Sequence, residues 1–378
     1  MHLSRLSLTD FRSYQSADVT LEPGVTAFLG SNGQGKTNLV EAAAYLATFA
    51  SHRVATDAPL IRHGCEQAIL RALISAAGRE SLLEIEINAS RANRVRLNRA
   101  PAPRPREVLG VLRCVLFAPD DVAVVKGDPD QRRRYLDDLL VATRPRYAGV
   151  RADYERVLRQ RTALLKSARA RGGTPPGALE VWDDHLVAAG AQLTAGRLRL
   201  IGEIRPLVGS CYSAVSGTQR DTGLRYRMSA IPAAGNGSAD SDPEPELEKL
   251  AASLHDALAQ HRRAELERAV CLVGPHRDEL ELRIGGLPAR GYASHGESWS
   301  LALALRLAAY QLLRSGGEDP VLMLDDVFAE LDSQRRERLA DLVLDAEQVL
   351  VTAAVPDDVP AGLSGARFTV AAGVISGG

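Results

Sequence analysis

Eight consecutive residues near the start of the chain have the types and spacing needed to bind a polyphosphate. They are Gly30, Ser31, Asn32, Gly33, Gln34, Gly35, Lys36 and Thr37, which fit the pattern G-x-x-x-x-G-K-[ST]. In this pattern glycines let backbone N–H groups surround phosphate oxygens, the lysine reaches the outer phosphate charges, and the threonine hydroxyl binds Mg²⁺. The segment therefore predicts a nucleotide-binding site, with the next residue, Asn38, beside it.

The flanking residues predict the two elements that such a loop must connect. Residues 25–29 are a short apolar run, which indicates a strand, and residues 38–49 have a helical pattern. A phosphate between them would lie at a helix N-terminus, where unpaired N–H groups and the helix dipole favour an anion. The alternative, a chance glycine-rich turn, does not account for the strand and helix on either side of the full pattern.

A second pair of candidate residues follows another apolar run. Residues 321–324 predict a buried strand, and Asp325 and Asp326 come directly after it. Beside a phosphate loop, this Walker B arrangement predicts that Asp325 binds Mg²⁺ and that Asp326 activates water as general base, with Lys36 as the other catalytic residue. The alternative is that two acids after a strand only begin a turn.

A third candidate segment opens a helix predicted to run from Ser298. It contains Ser294, Gly296 and Glu297, and serine and glycine at a helix N-terminus form an anion-binding surface. In one interpretation this surface closes over the γ-phosphate of a nucleotide bound by a second subunit. In the other it is a plain capping box, with Ser294 as the cap and Glu297 three residues further on.

The composition is that of an ordinary soluble protein. The chain has 378 residues, 45% hydrophobic and 25% charged, with a net charge of −1, so nucleic-acid binding would have to come from local patches. The four cysteines form no CxxC pair, which argues against a zinc or redox site. The N-terminus lacks the apolar segment of a secretory signal, and no apolar run approaches about 18 residues, so a cytoplasmic protein without a membrane partner is expected.

Hydrophobic patterns divide the chain into α/β and helical parts. Helical patterns dominate from about 130 to 200 and from about 244 to 271, with a Gly- and Pro-rich break at 171–177. Strand patterns are found at residues 2–8, 82–88, 94–97, 111–117, 321–324, 348–352 and 368–371.

This order predicts a discontinuous α/β domain. We expect residues 1–125 and 271–378 to form it, and residues 126–270 to form a mostly helical insert. Within the insert, residues at about 229–245 are rich in Ala, Gly, Ser, Asp and Pro, which predicts a flexible surface loop.

Several longer segments are similar to those of a known family. They are residues 6–14 (LSLTDFRSY), the phosphate loop with Asn38, 51–53 (SHR), 117–121 (FAPDD), 126–129 (KGDP), 132–137 (RRRYLD), 273–278 (VGPHRD), the Ser294 segment and 324–332 (LDDVFAELD). On these segments the chain resembles the RecF family, the ABC-type ATPases of bacterial recombinational repair that are related to the SMC and Rad50 heads. The resemblance is weakest at residues 169–266 and in the C-terminal tail.

The resemblance implies an ABC-type P-loop ATPase head, with a mixed sheet and flanking helices, that binds ATP and Mg²⁺. It implies a homodimer formed with ATP and a weak, DNA-stimulated ATPase that acts as a switch. It further implies binding to gaps and single-strand/double-strand junctions in DNA without sequence preference. The implied partners are RecR and RecO, which help to load RecA, and the implied setting is repair, replication restart and SOS induction near the nucleoid.

The resemblance also assigns roles to residues. Ser294, Gly296 and Glu297 become the signature segment that acts across the dimer. Glu330 and Asp332 belong to the D-loop, which would run along the dimer seam.

Three positions depart from the pattern of ABC ATPases. Asp326 stands where these proteins typically have Glu, and Thr352 stands where ABC transporters have a His. No clear Q-loop glutamine is present, although Asp120 and Asp121 are at a plausible place. Two alternatives remain beside the DNA-repair hypothesis: an ABC ATPase subunit of a membrane transporter, and a nucleotide-binding scaffold that does not hydrolyse ATP.

Arginines form two clusters that could neutralise DNA phosphates. The two clusters contain a single interleaved aromatic residue, Tyr154, so backbone contacts without sequence readout are expected, centred on Arg94, Arg96, Arg99, Arg156 and Arg159. The alternative is a solvated arginine-rich face. The full clusters are Arg91, Arg94, Arg96, Arg99, Arg104 and Arg106, and Arg151, Arg156, Arg159, Arg161, Lys166, Arg169 and Arg171.

Overall fold

The computed structural model describes residues 1–171, 177–231 and 246–377. The strands are β1 (His2–Phe11), β2 (Tyr14–Thr20), β3 (Gly24–Leu29), β4 (Gln67–Ala76), β5 (Arg79–Asn88), β6 (Arg94–Leu97), β7 (Ala100–Pro101), β8 (Cys114–Phe117), β9 (Thr222–Arg227), β10 (Glu279–Ile284), β11 (Leu287–Pro288), β12 (Val321–Asp325), β13 (Gln348–Ala353), β14 (Ala366–Ala371) and β15 (Val374–Gly377). The helices are α1 (Lys36–Thr48), α2 (Val122–Lys126), α3 (Pro129–Thr143), α4 (Tyr147–Arg171), α5 (Ala178–Ser216), α6 (Leu247–Arg268), α7 (Ala289–Tyr292), α8 (His295–Arg314) and α9 (Ser333–Val343).

The described residues divide into two compact units. The first contains residues 1–121, 211–218 and 299–377. Its antiparallel sheet has the strand order β2-β1-β4-β5-β6-β7. Its second sheet has the order β15-β14-β3-β13-β12-β8, and every pairing is parallel except that of β14 with β15.

The burial patterns of the strands explain the difference between the two sheets. In β5, Leu83, Ile85 and Ile87 are buried while Glu84 and Glu86 alternate with them, which is typical of a sheet with one face in water. All residues of β12 and β13 are buried, which is typical of parallel strands covered on both faces. The parallel sheet is therefore the one whose strand ends can hold polar groups away from water.

The second unit contains residues 122–210 and 219–298. Besides its helices it contains a small sheet of order β11-β10-β9, which includes a strand, β9, that no hydrophobic pattern predicts. Because β10 pairs with β9, residues 271–298 group with this unit, whereas the sequence-based boundary assigned them to the α/β domain. The predicted boundary at 271 and this division differ, and the extent of the two domains stays a prediction.

Two predicted irregular segments fall largely outside the described residues, at 172–176 and 232–245. The beginning of the predicted loop at 229–245 is described, and there Ser229 N donates to Asp278 Oδ1 at 2.7 Å. No helix within the described ranges has the length and apolar character needed to cross a bilayer.

A buried ion cluster connects three helices of the second unit. Arg161 on α4 is 0% exposed; its Nε donates to Asp183 Oδ1 on α5 and its Nη2 to Glu265 Oε2 on α6, each at 2.6 Å. Asp183 also accepts from Arg262 at 2.6 Å. The assignment of Arg161 to a DNA-binding cluster is therefore wrong, because its side chain lies in the core and neutralises two buried carboxylates.

Replacing Arg161 with Met should lower the free energy of unfolding by about 3 kcal/mol or more, because Glu265 and Asp183 would keep their buried charges and lose a partner. Urea unfolding followed by circular dichroism measures the loss. The matched control is Arg156→Met on the same helix. Arg156 is 65% exposed in its pair with Asp153, so its loss should change stability by less than about 1 kcal/mol. Equal effects of the two substitutions would contradict the role of Arg161 as the buried partner of Asp183 and Glu265.

Candidate nucleotide site

The predicted phosphate loop connects β3 to α1, as the flanking patterns indicated, and Gly35 is the N-cap of α1. Gly30 begins the loop at a point of close backbone approach, because a Cβ there would lie 2.2 Å from Val370 O. Only glycine fits at that position. The loop is thus a tight connection that begins at the end of a strand and finishes at a helix N-terminus.

Lys36 is the buried cation of the loop. Its side chain is 3% exposed, and Nζ donates to Ser31 O at 3.4 Å and to Asn32 Oδ1 at 3.5 Å. Both acceptors are neutral and belong to the loop itself, so these bonds place the ammonium group at the loop without neutralising its charge. Such a group favours a nearby anion.

The parallel sheet brings the phosphate loop and the Walker B acids together. Strand β13 lies between β3 and β12, and Thr352 is in register with Phe28 on one side and with Asp325 on the other. Thr37 Oγ1, at the start of α1, donates to Asp325 Oδ1 at 3.0 Å. Thr352 Oγ1 donates to the same carboxylate oxygen at 2.7 Å.

Asp325 is strongly desolvated. It is 4% exposed, and burial raises its pKa to about 6, although the hydrogen bonds from Thr352 and Thr37 act in the opposite direction. A carboxylate and a threonine hydroxyl are the hard oxygen ligands that Mg²⁺ prefers, and one or two protein ligands beside substrate phosphates are its usual set. The residues present therefore fit Mg²⁺, with Asp325 and Thr37 as the groups that would hold it.

Asp326 begins a short 3₁₀ segment, Val327–Glu330, with a left-handed backbone conformation (φ 50°). Its backbone N–H donates to Thr352 Oγ1 at 2.9 Å, and the same hydroxyl lies 3.4 Å from Asp326 Oδ1. Sequence reasoning noted Thr352 only as a departure from the ABC pattern. The structure makes it the residue that contacts both Walker B acids.

The predicted signature segment lies in the second unit and forms a reciprocal capping box. Ser294 N donates to Glu297 Oε2 at 2.8 Å, and Glu297 N donates to Ser294 Oγ at 3.2 Å. The bond from Ser294 N is the main cause of the lowered pKa of Glu297, which also forms an ion pair with Arg220. Gly296 lies in the first turn of α8. The capping bonds are therefore present, and the role of these residues across a dimer stays a prediction.

The predicted D-loop residues lie on either side of a turn before α9. Glu330 is exposed at the end of the 3₁₀ segment, and Asp332 caps α9 by accepting from Arg335 N at 2.9 Å. At the candidate Q-loop position, Asp121 is already engaged: one oxygen accepts from Ala118 N at 3.0 Å and the other from Arg306 at 2.6 Å.

A polar network beside the phosphate loop was not predicted as a site. Glu41 on α1 is fully buried and accepts from Arg12 at 2.6 Å and from Ser51 at 2.6 Å. Arg53 donates to Asn38 Oδ1 at 3.1 Å. The sequence signal for this network was the presence of Arg12, Asn38, Ser51 and Arg53 in three of the family segments. Glu41 lies in none of them, and a network between separate segments has no local pattern.

The candidate DNA-binding arginines are exposed but partly opposed by acids. On β6, Arg94 and Arg96 are in register with Glu86 and Glu84 of β5, and Arg99 lies in the following turn. On α4, Arg156 pairs with Asp153, and Arg159 is exposed. Any phosphate contact by these residues therefore remains a prediction.

Comparisons with known proteins agree with this geometry. The family model described as RecF/RecN/SMC N terminal domain matches residues 2–361, which ends before β14 and β15. The DNA replication and repair protein RecF of Kineococcus radiotolerans is 57% identical over 97% of this chain and 96% of its own length, and that of Frankia alni is 57% identical over 99% of both chains. A solved structure of the recombination mediator protein RecF with ATP, in the RecFOR pathway, has a TM-score of 0.89 at 27% identity and covers 99% of this chain and 97% of that one.

The sheet order, the strand-to-helix phosphate loop and the Walker B carboxylate define an SMC/RecF-type ABC ATPase head, a mixed α/β fold with helical segments, as expected from the sequence. With relatives of this identity over its full length, the chain belongs to the RecF family.

The raised pKa of Asp325 predicts a specific pH dependence in Mg²⁺-free buffer. A carboxyl whose pKa rises from 3.8 to about 6 on folding stabilises the fold when protonated, and that stability is lost as the pH rises through about 6. Asp325→Asn avoids this loss, so its free energy of unfolding should exceed that of the wild type by about 2 to 3 kcal/mol above pH 7. The difference should shrink towards pH 4. Urea unfolding at a series of pH values measures it, and a difference independent of pH would refute the burial argument.

Proposed function

We propose that this chain is an ATP-dependent DNA-binding protein of replication and recombinational repair, in which ATP and Mg²⁺ switch a monomer to a homodimer. One observation carries the proposal: Thr37 of the phosphate loop donates to Asp325 of the Walker B strand at 3.0 Å. These two residues bring hydroxyl and carboxylate oxygens to the end of a phosphate loop, where Mg²⁺ beside a nucleotide requires them. The names of the relatives support the repair role, and the likeness to the ATP complex of RecF supports the nucleotide.

Hydrolysis is slow in this proposal and serves to end the ATP-bound state. Asp326 acts as general base for the attacking water, and Lys36 stabilises the charge of the transferred phosphoryl group. An Asp side chain is one methylene shorter than the Glu of most ABC ATPases, so it reaches the water less well. DNA stimulates the weak ATPase, and the bound nucleotide acts as a switch.

The signature segment acts across the dimer. Ser294 Oγ accepts from Glu297 N, and the Ser294 hydroxyl also hydrogen-bonds the Glu297 carboxylate. In the dimer this hydroxyl turns to donate to a phosphate oxygen of the other subunit's nucleotide. The first N–H groups of α8, including that of Gly296, add donors at the positive end of a 20-residue helix. Glu330 and Asp332 form the D-loop, which in this proposal runs along the dimer seam.

Ser294→Asp tests the contact across the dimer without removing the helix cap. Asp caps a helix as well as Ser does, so the fold should keep its stability, but a negative charge replaces a donor to the γ-phosphate. Sedimentation velocity with saturating ATP and Mg²⁺ should give a dimer for the wild type and for Ser294→Thr. Ser294→Asp should remain monomeric while still binding ATP.

Two results would count against this dimer. A Ser294→Asp protein that dimerises like the wild type would exclude the contact across the subunits. A wild type that stays monomeric with saturating ATP and gapped DNA would exclude the switch.

Asp326→Asn, assayed for phosphate release, separates the switch from a scaffold that never hydrolyses ATP: loss of release would support Asp326 as the base.

DNA binding in this proposal uses phosphate contacts without base readout. Arg94, Arg96 and Arg99 project from the exposed part of the antiparallel sheet, and Arg156 and Arg159 from α4. The cross-strand acids Glu84 and Glu86 lower the local charge, so the contacts should be weak individually and strongly salt-dependent together. Gaps and single-strand/double-strand junctions are the proposed substrates.

Replacing Arg94, Arg96 and Arg99 together with Gln should weaken binding to gapped DNA and reduce the slope of log affinity against log salt by up to about three. Fluorescence anisotropy at several salt concentrations, with gapped and blunt duplexes and with or without ATP, measures this. Arg263→Gln is the control, because Arg263 is 92% exposed on α6 and outside both proposed surfaces. An unchanged slope in the triple variant would remove the β6 surface from the proposal.

The proposed partners follow from the family. The chain would act with RecR and RecO to load RecA on gapped DNA, in repair, replication restart and SOS induction, and it would be a cytoplasmic, nucleoid-associated protein. The name of the ATP-bound neighbour, a recombination mediator in the RecFOR pathway, supports this setting.

A further inference from the structure

The phosphate loop contacts a two-residue turn near the end of the chain that is not part of the phosphate-loop pattern. This turn consists of Ala372 and Gly373, connects β14 to β15, and is called the 372–373 turn below. We propose that the 372–373 turn is a positioning element of the nucleotide site, and that Gln34 is the loop residue through which it acts. The inference rests on the proposed binding of ATP by the loop.

Both turn residues donate their backbone N–H to the same residue of the loop. Ala372 N donates to Gln34 Oε1 at 2.6 Å, and Gly373 N donates to Gln34 O at 3.2 Å. In the hairpin, Ala371 pairs with Val374, so the N–H groups of the two residues between them lie outside the strand ladder. The φ angles of 49° and 75° are those of a type I′ turn, in which these donors project from the hairpin end.

The bond to Gln34 O orients the next N–H group of the loop. In a trans peptide the C=O of one residue and the N–H of the next point in opposite directions. Because Gly373 holds the Gln34 carbonyl, the N–H of Gly35 must point away from the turn. Backbone N–H groups of the loop are the donors that this pattern presents to phosphate.

Tyr14 has the same effect one residue further on. Its hydroxyl donates to Gly35 O at 3.1 Å, and Asn38 N of the first helical turn donates to the same oxygen at 3.0 Å. The N–H of Lys36 therefore points out of the helix N-terminus. The backbone N–H groups of Gly35 and Lys36 are thus oriented by hydrogen bonds that exist without the ligand. This lowers the entropic cost of phosphate binding.

The 372–373 turn lies close to the backbone of Ser13. A Cβ on Gly373 would lie 3.0 Å from Ser13 O, which precedes Tyr14. Ser13 Oγ in turn accepts from Asn38 Nδ2 at 2.9 Å. A side chain at position 373 would therefore displace the turn from Gln34, in addition to straining a backbone with positive φ.

The chain contains a matched control for this substitution. Ala77 and Gly78 form the turn between β4 and β5 with φ angles of 48° and 72°, and a Cβ on Gly78 would meet no atom within 4 Å. Gly78→Ala therefore imposes the same backbone strain as Gly373→Ala but disturbs no contact with the phosphate loop. Differences between the two variants isolate the effect on the loop.

Isothermal titration of each variant with Mg²⁺-ATP, without DNA, tests the proposal alongside thermal unfolding. Gly373→Ala should raise the Kd for ATP about fivefold or more, as expected for the loss of an orienting hydrogen bond. Gly78→Ala should lower the melting temperature about as much as Gly373→Ala does, but it should leave the Kd within about twofold of the wild type. Equal Kd values for the two variants would overturn the proposal.

Gln34→Met tests the residue that receives the turn. Met has a similar length but no oxygen for Ala372 N, so the Kd should rise, and the double variant with Gly373→Ala should bind less weakly than the product of the two single effects. Multiplicative effects would overturn the role of Gln34. Lys36→Ala separates this proposal from the proposed function: if it binds ATP like the wild type, the nucleotide site itself is wrong. If Lys36→Ala loses ATP while Gly373→Ala and Gln34→Met bind normally, only the role of the turn is wrong.

Discussion

A carboxylate buried at the end of a parallel strand is the constraint on which the first unit depends. Asp325 loses most of its hydration, and this burial is the main cause of its raised pKa. Two hydroxyls compensate in part, from Thr37 at the start of α1 and from Thr352 on β13. Both reach Asp325 only if β13 lies beside β12 in the observed register and α1 begins at Lys36, so strand order, register and helix start are all tied to one side chain.

A second buried charge in the same unit explains what kind of ligand the arrangement favours. Lys36 is held by neutral oxygens of its own loop, and Asp325 is held by neutral hydroxyls. Each charge therefore stays largely uncompensated by its direct partners, which is costly in a buried site. A ligand that brings negative phosphates to the lysine and a hard cation to the carboxylate relieves both costs at once, and Mg²⁺-ATP has this combination.

Local patterns predicted the elements that carry these charges, because their information lies in short stretches of chain. The apolar run before Gly30 became β3, and the run before Asp325 became β12. Where the information lies in distant pairings, the sequence was insufficient. Strand β9 gains its partner from residues more than 50 positions away, and no hydrophobic pattern predicted it.

The side chains divide in the same way. The capping box of Ser294 and Glu297 is a local motif, and it was foreseen as one of two interpretations. The arginine-rich pattern of its helix favours a surface position for Arg161, and only the packing of α4 with α5 and α6 shows that it neutralises Asp183 and Glu265. The contacts of Gln34 with the 372–373 turn join residues far apart in the chain, so no local pattern in either segment predicts them.

Two of the three departures from the usual ABC pattern, Asp326 and Thr352, belong to one hydrogen-bonded unit. Asp326 has a φ of 50°, a left-handed conformation that Asp and Asn adopt more readily than longer side chains do. Its N–H needs an acceptor on the neighbouring strand, and Thr352 Oγ1 provides one while donating its own hydrogen to Asp325. Asp326 and Thr352 therefore suit this backbone together. The Thr352 hydroxyl accepts from the N–H of Asp326 and donates to the buried carboxylate of Asp325.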